Sequence, residues 1–201
     1  MQIDPKDHDA TRLYQLMTSV IVPRPIAWVS TLSRDGVPNL APFSFFSGLT
    51  TTPPLVTIAA GRRRGARKDT TNNASATREL VVNLVTEGQL DAMVKTSGEF
   101  PPEVDEIALA GLTPLPSVKV RPPRIAEAPV QLECKTREIL ELSPGIVDLI
   151  VAEIVHVHVA DGIPVGEDLS IPTEALRPIA RLGGACYTTL GTIVKVERPR
   201  T

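Results

Sequence analysis

The clearest pattern in the chain is an alternation of apolar and polar side chains between Pro129 and Leu142. Apolar or small residues share one parity, namely Val130, Leu132, Cys134, Thr136, Leu140 and Leu142. Polar residues share the other parity, namely Gln131, Glu133, Lys135, Arg137 and Glu141. Because successive side chains of a strand point to opposite faces, this pattern predicts a strand with one buried face and one face in water.

Further apolar runs predict other strands. They cover residues 26–32, 55–60, 80–85 and 146–159, with a weaker alternation at 190–196. The sequence Arg34-Asp35-Gly36 follows the first run and is typical of a hairpin turn, so residues 39–47 are predicted to form the returning strand.

Two segments carry helix signals. Residues 86–89 match a capping box and precede apolar residues at helical spacing, and a second helix is predicted from near Asp69 towards Arg78. The chain also contains 19 prolines, which interrupt helices and avoid central strands. We therefore expect a mainly β fold in which about seven antiparallel strands and two or three short helices form a closed or partly closed barrel.

No repeat, linker or boundary is visible, so residues 1–201 are expected to form a single domain, with 99–123 as a long ordered excursion. A net charge of −2 gives no electrostatic reason to expect binding to nucleic acid or to an anionic membrane. Two cysteines outside any CxxC pair argue against a disulfide scaffold and a structural zinc site. Without a signal peptide or an apolar span, a cytoplasmic protein is expected.

A basic loop precedes the helix predicted near Asp69. Residues 61–70 contain two glycines and five cationic side chains, namely Arg62, Arg63, Arg64, Arg67 and Lys68. Helix N-termini and cationic side chains bind anions, and Thr70 adds a hydroxyl, so one interpretation is a phosphate site. The alternative, favoured by the residues alone, is a solvated basic loop in which Asp69 caps the helix.

Aromatic residues are scarce but concentrated. Three of the four phenylalanines lie at 43–46, interleaved with Ser44, which would suit a planar aromatic ligand or equally a core strand. The only tryptophan, Trp28, follows Pro23-Arg24-Pro25 and would either cover a ligand ring or lie in the core. His156 and His158 share a strand face without a third ligand nearby, so they are interpreted as structural and no metal site is predicted.

Taken in order, a set of segments along the chain resembles the flavin reductase-like family of FMN-binding split barrels. The resemblance extends from about Tyr14 to Tyr187. Its segments are PRPIAWVST at 23–31, NLAPFSFF at 39–46, PPLV at 53–56, KDT at 68–70 with Asn73, VVNL at 81–84, AGLTP at 110–114, PVQLEC at 129–134 and ARLGG at 180–184.

The resemblance implies a six-stranded antiparallel split barrel with a few short peripheral helices. It also implies a homodimer with FMN near the subunit interface, reduced by NADH or NADPH. The residues that it assigns to the flavin fall into four groups: Ser44, Phe45 and Phe46 at the isoalloxazine and ribityl; Lys68, Asp69, Thr70 and Asn73 at the phosphate; Arg24, Pro25, Trp28 and Thr31 at or over the ring; and Arg181, Gly183 and Tyr187 closing the site. The flavin carries the chemistry, so no catalytic side chain is assigned.

Three functions remain open at this point. The first is an NAD(P)H-dependent flavin reductase that supplies a partner monooxygenase. The second is a non-enzymatic FMN-binding electron carrier of the flavoredoxin type, and the third is a binding barrel without redox activity. The extra arginines at 62, 63, 64 and 67 either reach a second phosphate, such as the 2′-phosphate of NADPH, or decorate the surface.

Overall fold

The computed structural model describes residues 1–197 and 199. Its strands are, in chain order, β1 (Arg24–Pro25), β2 (Ala27–Leu32), β3 (Pro38–Phe43), β4 (Phe46–Thr51), β5 (Pro54–Gly61), β6 (Glu79–Leu84), β7 (Pro114–Leu115), β8 (Arg124–Ile125), β9 (Val130–Ser143), β10 (Val147–Val159), β11 (Ala180–Arg181) and β12 (Tyr187–Thr188). Its helices are α1 (Ala10–Val20), α2 (Asp69–Thr77), α3 (Leu90–Lys95), α4 (Glu106–Leu109) and α5 (Thr173–Leu176), with 3-10 turns at Pro5–Asp7 and Glu87–Gln89.

The main sheet contains seven strands in the order β3-β2-β6-β9-β10-β5-β4, and all neighbours are antiparallel. The expectation of a mainly β, antiparallel barrel-type fold with few short helices is confirmed, with seven strands in this sheet where six were implied. The sheet curls, because β3 contacts β5 although four strands separate them in the sheet order. Side chains such as Val29, Ile58, Val82 and Ile150 fill its inner side.

A second core covers the outer side of β2 and β3. Trp28 and Leu40 project from these strands and are fully buried. They form one cluster with Met93 of α3, Ile107 of α4 and Ile125 of β8. The helices and the proline-rich excursion therefore close the outer face of the sheet, which is why strand β2 is buried almost throughout.

The prediction of a wet face on β9 is wrong. Gln131 and Glu133 are buried, whereas Leu140 and Leu142 are exposed near the end of the strand. The excursion covers the near half of this face, and register shifts between β9 and β10 break a constant parity. Alternation along the sequence identified the strand but could not show what would cover its polar side.

Carboxylates on β6 and β9 hold the excursion by its backbone. Glu133 accepts hydrogen bonds from the N–H groups of Val118, at 2.8 Å, and Lys119, at 2.6 Å. Glu79 accepts one from the N–H of Arg121 at 3.0 Å. We call this arrangement the carboxylate clasp, and it explains how residues 116–123 lie in order over the sheet with little secondary structure of their own.

The other predicted elements are mostly confirmed. Strands form over the runs at 26–32, 55–60, 80–85 and 146–159, and Gly36 has the positive φ of +84° that the hairpin turn requires. The predicted strand at 39–47 is instead two strands, β3 and β4, separated at Ser44 and Phe45. The predicted strand at 190–196 does not form.

The helices predicted at 69–78 and after the capping box at 86–89 are present as α2 and α3. Helix α1, capped by Asp9, was not predicted although Leu13, Leu16 and Val20 have helical spacing. Among the described residues, no helix combines the length and apolar character that a membrane span requires.

Candidate functional site

Two cavities adjoin each other beside the end of β3, and together they form one groove. The α1 cavity measures about 470 Å³ and the α2 cavity about 480 Å³. Pro42 and Ser97 line both of them. A ligand with two chemically different ends can therefore extend from one cavity into the other past these two residues.

The N-terminus of α2 lies in the α2 cavity. Lys68 is the N-cap residue of this nine-residue helix, and Asp69 and Thr70 form its first turn. Free N–H groups and the helix dipole favour anions at such an end. The basic loop borders the same cavity through Arg63, Arg64 and Arg67.

A buried hydrogen-bond network fixes Thr70. The Asn39 side-chain amide donates to Thr70 Oγ1 at 3.0 Å and to Thr31 Oγ1 at 3.2 Å. Asn73 donates to the same Thr31 oxygen at 3.1 Å. Thr31 and Asn73 are therefore positioning residues behind the cavity wall, whereas Thr70 and Asn39 line the cavity itself. Asn39 lies in the segment NLAPFSFF at 39–46, but the sequence alone does not assign it a role.

The surroundings of the α2 cavity shift the pKa values of three of its ionisable side chains toward their neutral forms. Neighbouring protein atoms limit hydration of the Lys68 ammonium and, together with the charge of Arg63, lower its pKa, although much of its side chain is exposed. Desolvation and the nearby Glu103 raise the pKa of Asp69. Desolvation also raises the pKa of Glu106, against the opposing effect of the hydrogen bond that it accepts from the Leu40 N–H at 3.1 Å. An anion beside Lys68 would favour its charged form.

The basic loop is anchored from within by Asp148 of β10, which is fully buried. Arg62 makes a bidentate pair with this carboxylate through Nε, at 2.8 Å, and a terminal nitrogen, at 2.7 Å. Arg67 contacts the same carboxylate at 3.2 and 3.1 Å. Arg62 also pairs with Glu141 at 2.9 Å. Arg62 and Arg67 thus attach the basic loop to β10.

The α1 cavity is built around Arg24, which is itself buried. Its guanidinium donates to the backbone oxygens of Thr18, Ile21 and Leu182 at 2.8, 2.8 and 2.9 Å, and Nε lies 3.4 Å from Ser44 Oγ. Arg24 therefore joins α1, β1 and the 182–187 segment, and its charge is largely committed to those carbonyl groups.

Arg181 and Tyr187 form the far wall of the α1 cavity. The Arg181 guanidinium donates to the Tyr187 hydroxyl, and its central carbon lies 4.5 Å from the centroid of that ring. Gly183 is not among the lining residues. A Cβ on Gly183 would lie 3.1 Å from Ser19 Oγ, so this glycine allows the 182–187 segment to approach α1 closely.

Some residues assigned from the sequence lie away from the groove. Trp28 lines neither cavity: its side chain is fully buried in the outer core, and its Nε1–H donates to Thr96 Oγ1 at 2.9 Å. Phe46 contacts the inner core. Phe45 is 37% exposed, with the Arg24 guanidinium 5.7 Å from its ring centroid, and Pro25 is exposed.

Of the residues assigned from the sequence, the groove brings together those at both of its ends: Arg24, Ser44, Lys68, Asp69, Thr70, Arg181 and Tyr187. Sequence reasoning did not assign a role to Pro42 and Ser97, which line both cavities, or to Tyr14, which lines the α1 cavity. Tyr14 could have been found from the helical spacing of α1. Ser97 follows α3 in an irregular segment and carries no local signal.

Comparison with known proteins adds a family to this geometry. Residues 17–170 match the model of the flavin reductase like domain. A protein from Aquifex aeolicus is 43% identical over 188 residues, which cover 93% of this chain and 94% of the relative.

Solved structures agree with that match. Component B of nitrilotriacetate monooxygenase from Bacillus cereus superposes with a TM-score of 0.93 at 34% identity, covering 98% of both chains. A split-barrel domain protein from Shewanella frigidimarina superposes with a TM-score of 0.86 at 22% identity, covering 99% of this chain and 100% of the other, which identifies the fold as a split barrel.

Proposed function

We propose that this chain, which belongs to the flavin reductase-like family, binds FMN along the groove and is an oxidoreductase that uses NADH or NADPH to reduce it. The observation that carries the proposal is the pairing of the two cavities. One offers a helix N-terminus, Lys68 and Thr70 to a phosphate, and the adjoining one offers a pocket of mixed polarity to a ring system.

The residues present fit an FMN phosphate at the α2 cavity. Lys68 supplies an ammonium group, and Thr70 supplies a hydroxyl whose position is fixed by Asn39. Charge-assisted hydrogen bonds of this kind are the strong ones, especially where neighbouring protein limits hydration. Thr31 and Asn73 would act on the phosphate through Asn39 and Thr70.

The isoalloxazine would occupy the α1 cavity, beside Pro42, Ser44 and Tyr187. Bound FMN supplies the hydride and electron chemistry, and the chain supplies position and electrostatics. Arg181 places a positive charge at this cavity, and a fixed cation near the ring would favour the anionic reduced flavin. No side chain is needed as an acid or base for flavin reduction.

We propose that a second copy of the chain closes the α1 cavity. Helix α1 borders this cavity, and Tyr14, Met17 and Val20 on it are exposed apolar side chains. Apolar groups that cluster beside a half-open site are typical of an interface. Sedimentation at micromolar concentration should give about twice the chain mass of 21.6 kDa. A monomer that still binds FMN tightly would contradict the dimer alone.

Anaerobic stopped-flow reduction tests the proposed activity. The purified chain should bind FMN, become yellow and lose its flavin absorbance on addition of NADH or NADPH at a rate that rises with nicotinamide concentration. A chain that binds FMN but is reduced only by a protein donor would instead be an electron carrier. A chain that binds no FMN would be a barrel of another function.

A partner monooxygenase is the proposed consumer of the reduced flavin. The Bacillus cereus neighbour is component B of a monooxygenase, at 34% identity over nearly the whole chain. We therefore expect reduced FMN produced by this chain to support product formation by a separately purified flavin-dependent monooxygenase. If no transfer occurs while reduction is rapid, the flavin remains bound and this partner is excluded.

A further inference from the structure

The tip of the basic loop is a tight turn that presents Arg64 at the rim of the α2 cavity. Arg63 and Ala66 exchange backbone hydrogen bonds of 2.9 and 2.8 Å across it. The two central residues have positive φ, +46° at Arg64 and +81° at Gly65. Such turns favour glycine or asparagine at the first central position, and arginine there is disfavoured by its Cβ. The backbone conformation therefore does not explain why an arginine occupies position 64.

The turn is held firmly at its base. Arg62 and Arg67 flank it and both contact the buried carboxylate of Asp148. The Arg62 backbone N–H also donates to the Ile146 carbonyl at 2.6 Å. Because the base is fixed on β10, the position of the tip over the cavity is set by the fold.

Cationic groups are crowded at this rim. Arg63, Arg64 and Lys68 line the same cavity, and Arg63 contributes to the lowered pKa of Lys68. Arg63 pairs with Glu99 across the cavity, but both side chains are about half exposed, so the pair is weak. Within the described part of the chain, Arg64 has no ion pair. A rigid scaffold that holds like charges together is typical of an anion site.

We propose that Arg63 and Arg64 form a second phosphate subsite, distinct from Lys68 and Thr70, which binds a phosphate group that FMN does not carry. This inference rests on the proposed function, because there Lys68 and Thr70 hold the phosphate of FMN. Two ligands carry such a phosphate where a matched ligand lacks it: FAD, through its adenylate half, in comparison with FMN, and NADPH, through its 2′-phosphate, in comparison with NADH. Glu99 competes with that phosphate for Arg63.

The test compares ligands that differ by the second phosphate. Dissociation constants for FMN and FAD are measured with the flavin-free chain, and those for NADH and NADPH with the FMN-loaded chain. The variants are Arg64→Gln, the double variant Arg63→Gln/Arg64→Gln, and Glu99→Gln. The control is Arg177→Gln, because Arg177 is also an exposed arginine with positive φ, +43°, but lies at the end of α5 and lines neither groove cavity.

The double variant should lower either the FAD-to-FMN or the NADPH-to-NADH affinity ratio by about tenfold or more, while FMN affinity changes by less than about twofold. The ratio that falls identifies the source of the phosphate. Glu99→Gln should raise that same ratio, and Arg177→Gln should leave it unchanged.

Unchanged ratios, or an equal loss for all four ligands, in a chain that binds FMN would overturn the second subsite alone. Absence of FMN binding by the unmodified chain would overturn the proposed function and this inference together. If added salt lowers the affinity for every ligand by the same factor in the double variant and in the parent, a specific subsite would also be contradicted.

Discussion

The four arginines of the basic loop lie within six residues of each other, yet they have two different environments. Arg62 and Arg67 contact the buried Asp148, although Arg67 also lines the α2 cavity, whereas Arg63 and Arg64 line that cavity without contacting Asp148. Residue type and spacing do not distinguish the two pairs. The burial of the partner therefore decides whether an arginine stabilises the fold or remains accessible to a ligand.

The same contrast exists at the other end of the groove. Trp28 lies inward, fully buried and hydrogen-bonded to Thr96, whereas Arg181 and Tyr187 face the α1 cavity. If inward residues hold the fold and outward residues hold the ligand, substitutions should separate stability from affinity.

Trp28→Ala should have the largest effect on stability. Removal of a large, fully buried aromatic side chain costs about 3–5 kcal/mol, and Thr96 Oγ1 loses its donor. The measurement is the free energy of unfolding in urea. Trp28→Phe, which retains an aromatic ring, should lose clearly less. A Trp28→Ala chain with unchanged stability but weak FMN binding would place Trp28 with the outward residues.

Asp148→Ala should be nearly as disruptive, at about 3 kcal/mol, because it removes the shared partner of two arginines at a buried site. The value lies at the low end for buried pairs because Arg67 remains partly hydrated and Arg62 retains Glu141. Thermal unfolding of the apo-protein measures it. If Asp148→Ala kept the parent's melting temperature but lost FMN binding, Asp148 would position the basic loop without stabilising the rest of the fold.

Lys68→Ala and Thr70→Ala should each weaken FMN binding by about 1.5–3 kcal/mol, which is roughly tenfold or more, because each removes a donor to the phosphate. Lys68→Ala should leave the melting temperature of the apo-protein nearly constant. Riboflavin, which has no phosphate, is the matched ligand, and its affinity should change little. An equal loss for FMN and riboflavin would place these residues away from the phosphate.

Lowering the pH should reduce the stabilisation that the ion pair of Asp148 with Arg62 provides, by less than the substitutions above. The Arg62 guanidinium holds the pKa of Asp148 below its ordinary value of 3.8, against the effect of burial, and Arg67 adds to this. A depressed carboxyl pKa stabilises the fold above the unfolded-state pKa, and the stability is lost as pH falls through the folded-state pKa. The difference in unfolding free energy between the parent and Asp148→Asn should therefore be full at neutral pH and shrink below about pH 4.

Arg64→Gln should have the smallest effect on stability, within about 0.5 kcal/mol, because its side chain is exposed and makes no ion pair within the described residues. If Arg64→Gln destabilised the chain as strongly as Asp148→Ala, the contrast between the two pairs of arginines would be wrong. Chemical denaturation of the two variants side by side decides between these outcomes.

Much of the fold was predictable because it depends on local pattern. The runs that became β5, β6 and β10, the Gly36 turn and the start of α2 at Asp69 all carry strong local signals. The wet face of β9 was mispredicted because its cover comes from a distant segment, 116–123. The break at Ser44 and Phe45 contains no proline or glycine, and the nearest ones, Pro42 and Gly48, lie inside β3 and β4.

The candidate site was predictable where one short segment builds it. Residues 68–70 are consecutive and all line the α2 cavity, and the family resemblance assigned them together. The roles of Trp28, Thr31 and Asn73 depend on which side of β2 or α2 faces the groove, and a motif does not record this. Pro42 and Ser97 become neighbours only when β3 and the segment after α3 meet.

The carboxylate clasp has a consequence for solvent exchange and for proteases. Because the N–H groups of Val118, Lys119 and Arg121 donate to Glu133 and Glu79, their hydrogens should exchange with deuterium far more slowly than those of an open loop. Trypsin should likewise spare the bond after Lys119 in the native chain. A stretch with four prolines between 114 and 123 thus behaves as a folded part of the barrel wall.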